Sequence, residues 1–177
     1  MTMTTATTAS TKIIDQMLAE LEQEAGTTRR VLGLVRDEHL DWRPHPRART
    51  LGQLALHVAQ MWGGVAALAS QSEAQAPTFV DPDPASAAEL IPTLDASIAR
   101  AKELLGGIDD ATVMATWRLK AGDREIFAIP RIAFLRSVLL NPAYHHRGQL
   151  TVYLRMLGEP IPSIYGPSAD ENPFAVQ

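Results

Sequence analysis

The fold prediction rests first on the stretch PRIAFLRSVLLNPAYHHRGQLTVYLRMLG, residues 130–158. Its apolar residues recur at spacings of three, four and seven, which predicts one long amphipathic helix from about Pro130 to Leu157. Proline suits the first turn of a helix, and Gly158 suits the position after the last turn. The predicted inward stripe contains two unusual members, Pro142 and His146. Its other members are Leu135, Val138, Leu139, Leu150, Tyr153 and Leu157.

Three further segments show the same periodicity. They run from about Thr11 to Arg36, from Leu51 to about Ser70, and from about Ala85 to Leu105. The second begins with a capping-box pattern, in which Thr50 is followed three residues later by Gln53. Four amphipathic helices joined with one long crossover predict an all-α protein built as a four-helix bundle.

The segments between and after these helices are less regular. Residues 75–85 carry three prolines and read as a loop, and residues 109–129 read as either a short hairpin or an extended connection. The tail after Gly158 combines four prolines with apolar residues, which predicts an ordered, extended tail packed on the bundle. We expect residues 1–10 to be a flexible leader and residues 11–177 to form a single domain.

Composition narrows the possible functions. The chain has 177 residues, 16 basic and 20 acidic side chains, a net charge of −4 and no cysteine. Without cysteine there are no disulfides, thiolate nucleophiles or cysteine-bound metals, so any metal must be held by His, Asp or Glu. The acidic balance argues against nucleic-acid binding. With neither a signal-peptide pattern nor an apolar run long enough for a membrane span, we expect a cytoplasmic protein.

Two of the five histidines stand out. His39 and His45 lie in a polar connection with two prolines and read as solvated loop residues. His57 and His146 instead lie on the apolar stripes of the second and last helices. Ligands from facing helices meet in bundle cores, and imidazole suits zinc, nickel, copper and ferrous iron. His57 and His146 are therefore the candidate metal ligands.

The neighbours of His146 have weaker claims. His145 points about 100° away around the helix, so it is only a possible additional ligand. Gln149 lies within one turn of His146, where it would either support a ligating imidazole or lie on the surface. Arg147 can pair with a carboxylate.

Three motifs resemble one known family. The run NPAYHHRGQLTVYLR, residues 141–155, resembles the signature helix of the DinB-like proteins, and LGQLALHVA, residues 51–59, resembles their second-helix motif. The segment PSIYGPSADE, residues 162–171, is similar to the tail of one bacterial branch. The resemblance implies an up-up-down-down four-helix bundle, often a homodimer. It also implies a superfamily that includes thiol S-transferases using bacillithiol or mycothiol.

The resemblance further implies a metal site of three histidines, one in the second helix and two spaced His-x-x-x-His in the last. His57 matches the first and His146 the last, but the middle position is Pro142, which cannot bind a metal. Proline also removes the helical hydrogen bond to the Val138 carbonyl, which predicts a kink. Either His145, a water or a carboxylate from elsewhere completes the coordination, or the site is lost.

Two functions follow from these expectations. The first is an enzyme of the thiol S-transferase or hydrolase type that uses zinc, nickel or iron and acts on a low-molecular-weight thiol or another small molecule. The alternative is a non-catalytic, dimeric stress-response bundle that binds a small ligand without metal.

Overall fold

The computed structural model describes residues 12–175, so the predicted leader, residues 1–10, lies outside the described part. Four helices in that part are long, and two are short. They are α1 (Ile13–Leu32), α2 (Leu51–Ala69), α3 (Leu90–Gly106), α4 (Asp110–Met114), α5 (Arg131–Phe134) and α6 (Asn141–Met156). Between residues 12 and 175 no helix combines the length and apolarity needed to cross a membrane.

The bounds of the first three long helices follow local signals. The hydroxyl of Thr50 accepts the Gln53 amide at 3.0 Å and the Gln53 side chain accepts the Thr50 amide at 3.0 Å, so the predicted capping box is confirmed. Helix α1 ends at Leu32 rather than near Arg36, whose backbone is extended. Helix α3 begins at Leu90 rather than near residue 85, because a 3₁₀ turn, Ala87–Glu89, precedes it.

The last helical segment changes its winding ahead of Pro142. Helix α5 continues into a π-helical stretch, Leu135–Leu140, and then into α6. The amide of Asn141 donates to the carbonyl of Arg136, five residues earlier. A proline has no amide hydrogen, and its ring clashes with the carbonyl four residues before it. The wider turn relieves that clash, so the disturbance predicted at Pro142 takes the form of a π-bulge.

A small sheet lies outside the helices. Strands β1 (Glu73–Gln75), β2 (Thr116–Ala121) and β3 (Arg124–Pro130) are arranged in the order β1-β2-β3. Strand β1 pairs with β2 in parallel, and β2 pairs with β3 as an antiparallel hairpin whose turn contains Gly122 at a φ of 60°. The expectation of an all-α fold is therefore incomplete. Of the two readings of residues 109–129, the hairpin is the one found.

The sheet is attached to the helices through Trp117. This side chain is fully buried and stacks on Phe134, with ring centroids 3.8 Å apart. Its indole nitrogen donates to the carbonyl of Leu68 at 3.2 Å, next to the end of α2. Buried apolar residues of the helices and the sheet thus form one continuous cluster.

Acidic side chains hold the tail after Gly158. Asp170 pairs with Arg155 of α6 and accepts the Ile161 amide at 2.8 Å. Glu171 pairs with Arg30 of α1 and accepts the Ser163 amide at 2.7 Å. These two carboxylates therefore organise the tail, and their partners are arginines.

Candidate histidine site

The two histidines singled out in the sequence lie side by side. Helix α2, which carries His57, packs against α6, which carries His146. The two imidazole rings are nearly perpendicular, at 87°, and their centroids are 4.6 Å apart. Both side chains are half-buried. The structure thus brings together two residues separated by most of the sequence.

The surroundings keep both rings uncharged at neutral pH. Burial, followed by the positive charge of Arg49 and by the proximity of a second titratable ring, His146, lowers the pKa of His57 to about 4. Burial also lowers the pKa of His146, against the opposing effect of its hydrogen bond to Gln149. A neutral imidazole has one nitrogen that donates and one that accepts a hydrogen bond or binds a metal. The pair therefore offers two uncharged rings with free lone pairs.

Gln149 orients the His146 ring. Its side-chain oxygen lies 2.9 Å from Nδ1 of His146. A carbonyl oxygen only accepts hydrogen bonds, so this contact places the ring proton on Nδ1 and leaves the lone pair on Nε2. Gln149 thus lies on the helix surface, as one of its two predicted placements has it, and it also contacts the His146 ring; support of a ligating imidazole stays a prediction.

Two charged residues near the pair carry no recognisable sequence signal. The Nε of Arg49 donates to Asp81 at 2.7 Å, and both charges act on the pKa values of His57 and His146. Arg49 precedes a helix cap and Asp81 lies in the proline-rich loop, where no periodicity marks either residue. Only the packing of that loop against the start of α2 shows that they belong to the site.

A groove opens beside His57. It has a volume of about 620 Å³ and lies between α2, α3 and the loop 77–80. Its size is that of a small-molecule site, since such pockets typically measure about 300–1,000 Å³. His57, one member of the histidine pair, therefore lines a space large enough for a ligand.

Comparison with known proteins identifies the family. A sequence model of the DinB superfamily matches residues 20–150. The protein YrdA of Bacillus subtilis is 30% identical over 159 residues, which cover 89% of this chain and 91% of YrdA. The chain belongs to the DinB superfamily.

Solved DinB-like structures share the fold. A DinB-like protein from Bacillus cereus has a TM-score of 0.66 at 24% identity, covering 86% of this chain and 97% of that one. YfiT from Bacillus subtilis has a TM-score of 0.63 at 16% identity, covering 89% and 94%. YfiT is described as a probable metal-dependent hydrolase with an unusual four-helix bundle topology. At these identities the similarity concerns the fold.

The three-histidine set implied by the DinB resemblance is incomplete in this DinB protein. Pro142 occupies the middle position, and within residues 12–175 no three or more His, Cys, Asp or Glu side chains are grouped so as to hold a metal. His145 is exposed, with its ring centroid 5.0 Å from that of His146, and adds no third ligand to the pair. The residues present therefore do not fit a three-histidine metal centre.

The remaining histidines of this DinB protein lie in the loop between α1 and α2. His39 is half-buried with Nε2 3.6 Å from a Glu38 oxygen, and His45 is exposed and accepts the Arg47 amide at 3.2 Å. Both contacts are local. The prediction of a solvated loop residue is confirmed for His45, whereas His39 is half-buried in a 3₁₀ turn, Asp37–His39.

Proposed function

We propose that this DinB-superfamily protein binds a small molecule at the His57–His146 pair and does so without a three-histidine metal centre. One observation carries the proposal: two neutral imidazoles contact each other and one of them, His57, lines a groove, while proline occupies the third ligand position. Catalytic zinc usually has three protein ligands and one open position. This chain supplies two histidines.

The pair would act through hydrogen bonds. Nε2 of His146 is available as an acceptor, and neutral His57 adds one donor and one acceptor nitrogen. The part-buried surroundings strengthen such bonds, because less water competes for them. The up-up-down-down helix order and a homodimer are parts of this proposal that rest on the family resemblance. A cytoplasmic stress-response role is proposed together with them.

The second candidate is a metal-dependent hydrolase or thiol S-transferase that uses zinc, nickel or iron. Two observations favour it. Both histidines have lowered pKa values, so neither must lose a proton before it binds a metal, and Gln149 directs Nε2 of His146 away from itself. In addition, the structurally similar YfiT is described as a probable metal-dependent hydrolase.

Metal titration separates the two functions. Untagged protein would be analysed for bound elements and then titrated at pH 7 with zinc and with nickel by calorimetry. The first proposal predicts no stoichiometric binding at micromolar metal. Stoichiometric binding that is lost in His57→Ala and kept in the matched loop variant His45→Ala would contradict it and support the metal-dependent enzyme.

A further inference from the structure

The groove beside His57 has mostly apolar walls. It begins at His57 and follows α2 to Leu68, opposite α3 and the loop 77–80. Eleven residues of helix span about 16 Å, so the groove suits an elongated ligand. Its large apolar members are Met61, Val65, Leu68, Pro77, Phe79 and Val80.

Two of these apolar side chains are left in solvent. Phe79 is 81% exposed and Val80 is 77% exposed. The loop that carries them is held at both ends: the Ala76 amide donates to the Lys120 carbonyl at 2.7 Å, and Asp81 pairs with Arg49. A fixed loop that presents two unpacked apolar side chains to a groove gains contacts when an apolar chain lies there.

The groove contains a positively charged side chain that has no ion-pair partner among the described residues. Arg100 lines it from α3, and within the described residues 12–175 its guanidinium forms no ion pair. Arg49, by contrast, is neutralised by Asp81. Ser97 is already engaged, since its hydroxyl accepts the Gly63 amide and donates to the Gln60 carbonyl. An anion is therefore the complementary partner for Arg100.

We infer that the groove binds an amphipathic monocarboxylate, with the carboxylate on Arg100 and the apolar chain along α2 beneath Phe79 and Val80. This inference rests on the proposed function and deepens it, since it names the class of small molecule that would lie beside His57. Decanoate is a suitable probe, with 1-decanol as the neutral analogue and decyltrimethylammonium as the cationic one.

Affinities for these probes, measured by calorimetry with the full-length protein, test the chemical class. We expect decanoate to bind more tightly than decanol, and decanol more tightly than decyltrimethylammonium. In the series hexanoate, octanoate, decanoate each buried methylene should improve the affinity about fourfold. Equal affinity for the carboxylate and the ammonium compound, or no gain with chain length, would overturn the inference.

Gly64 provides a variant that blocks the groove without disturbing the fold. It lines the groove on α2, and a Cβ added there would meet nothing within 4 Å. Gly64→Leu should weaken decanoate at least tenfold and keep or raise the melting temperature, because leucine favours helix more than glycine does. Gly26→Leu is the matched control, since Gly26 is an exposed glycine of α1 with equally free space. Undiminished binding to Gly64→Leu would contradict the groove as the site.

Arginine variants and histidine signals complete the test. Arg100→Gln should reduce decanoate to the affinity of decanol, whereas the exposed Arg124→Gln on β3 should not change it. The imidazole NMR signals of His57 and His146 report on the proposed function separately. If decanoate binds the wild type without moving these signals and fails to bind Gly64→Leu, that result would support the groove as the site and contradict participation of the histidine pair. Absence of decanoate binding would overturn the ligand class, and the metal titration would still test the pair.

Discussion

The His57 imidazole stays uncharged because it is partly buried between two helices and lies near the positive side chain of Arg49. Desolvation of a base favours its neutral form, and a neighbouring cation acts in the same direction. On an exposed helix face the same side chain would be protonated in half of the molecules near pH 6.5. Its chemistry in this protein is therefore set by its location.

The lowered pKa of His57 predicts acid sensitivity. The unfolded chain takes up this proton at the ordinary pKa of 6.5, whereas the folded protein does so only at about 4. The unfolded state therefore binds more protons between these values, and stability is lost as the pH falls through this window. We expect His57→Gln to reduce this acid-induced loss in the free energy of unfolding by roughly 1–2 kcal/mol. The value is smaller than the full pKa shift of His57 implies, because solvent screens the partly exposed ring.

Urea unfolding of the wild type and His57→Gln at pH 7 and pH 4.5 measures this contribution. The histidine variant should lose less stability between the two pH values than the wild type loses. His45→Gln, in the exposed loop, should follow the wild type. Identical pH dependence of the wild type and His57→Gln would show that the folded protein protonates His57 at an ordinary pKa.

Replacing Pro142 with histidine should raise the affinity for metal. Residues four apart on a helix lie on one face, so Pro142→His should add a third imidazole next to His57 and His146. We expect zinc affinity, measured by competition with a chelating dye, to rise at least tenfold. Pro142→Ala is the control, because it removes the proline without adding a ligand. Equal zinc affinity in the two variants would mean that position 142 does not face the pair.

Helices α1 and α6 are joined by a buried ion pair, Glu24–Arg147. The Arg147 side chain is 2% exposed and its Nη2 lies 2.5 Å from an oxygen of Glu24. A second guanidinium nitrogen donates to the Glu24 carbonyl at 3.1 Å and to the Thr28 hydroxyl at 3.2 Å. The hydroxyl of Tyr165, in the tail, donates to the same Glu24 carboxylate at 2.8 Å. This ion pair thus links two helices and the tail, and its arginine, Arg147, directly follows His146 in sequence.

Breaking this pair should destabilise the protein strongly. Arg147→Met leaves the Glu24 carboxylate buried without a positive partner, which typically costs about 3–5 kcal/mol. Tyr165→Phe removes the hydrogen bond that the Tyr165 hydroxyl donates to Glu24 and the one that it accepts from Arg147, and it should cost about 1–2 kcal/mol. The matched surface pair Arg29–Asp95 is 42% and 50% exposed, so Arg29→Met should cost less than about 1 kcal/mol.

Urea denaturation curves give these differences directly. The double variant Arg147→Met with Glu24→Leu should recover part of the stability lost in the single variant, because it removes the buried charge as well. A loss in Arg147→Met no larger than in Arg29→Met would contradict the role of the pair in holding α1, α6 and the tail together.

The molecule as a whole depends on the attachment of its sheet to its helices. Trp117 supplies that attachment by filling space against Phe134 and donating to the Leu68 carbonyl. We expect Trp117→Ala to lower the free energy of unfolding by about 3–5 kcal/mol, and Trp117→Phe to lower it less, because most of the cavity stays filled. Unfolding followed by circular dichroism checks both values. A loss below about 1 kcal/mol in Trp117→Ala would show that the sheet contributes little to the cooperative core.

The parts of the fold that were predictable are those encoded by neighbours in sequence. Helix α2 begins and ends within one residue of its predicted bounds, since the capping box at Thr50 and a periodic apolar stripe are local signals. The disturbance before Pro142 was predictable for the same reason, although its form as a π-bulge was not. Strand β1 has only three residues, and pairing with a strand more than forty residues away creates it.

The spacing of apolar residues was enough to locate the four helical segments to within a few residues, and it selected His57 and His146 because each interrupts an apolar stripe. No local pattern shows that their rings meet, that both are neutral, that Arg49 and Asp81 lie nearby, or that a groove opens beside His57. Helix formation follows the spacing of neighbouring residues along one chain segment. Desolvation and charge interactions depend instead on distances between residues brought together from remote parts of the chain, such as Glu24 and Arg147, which are 123 positions apart.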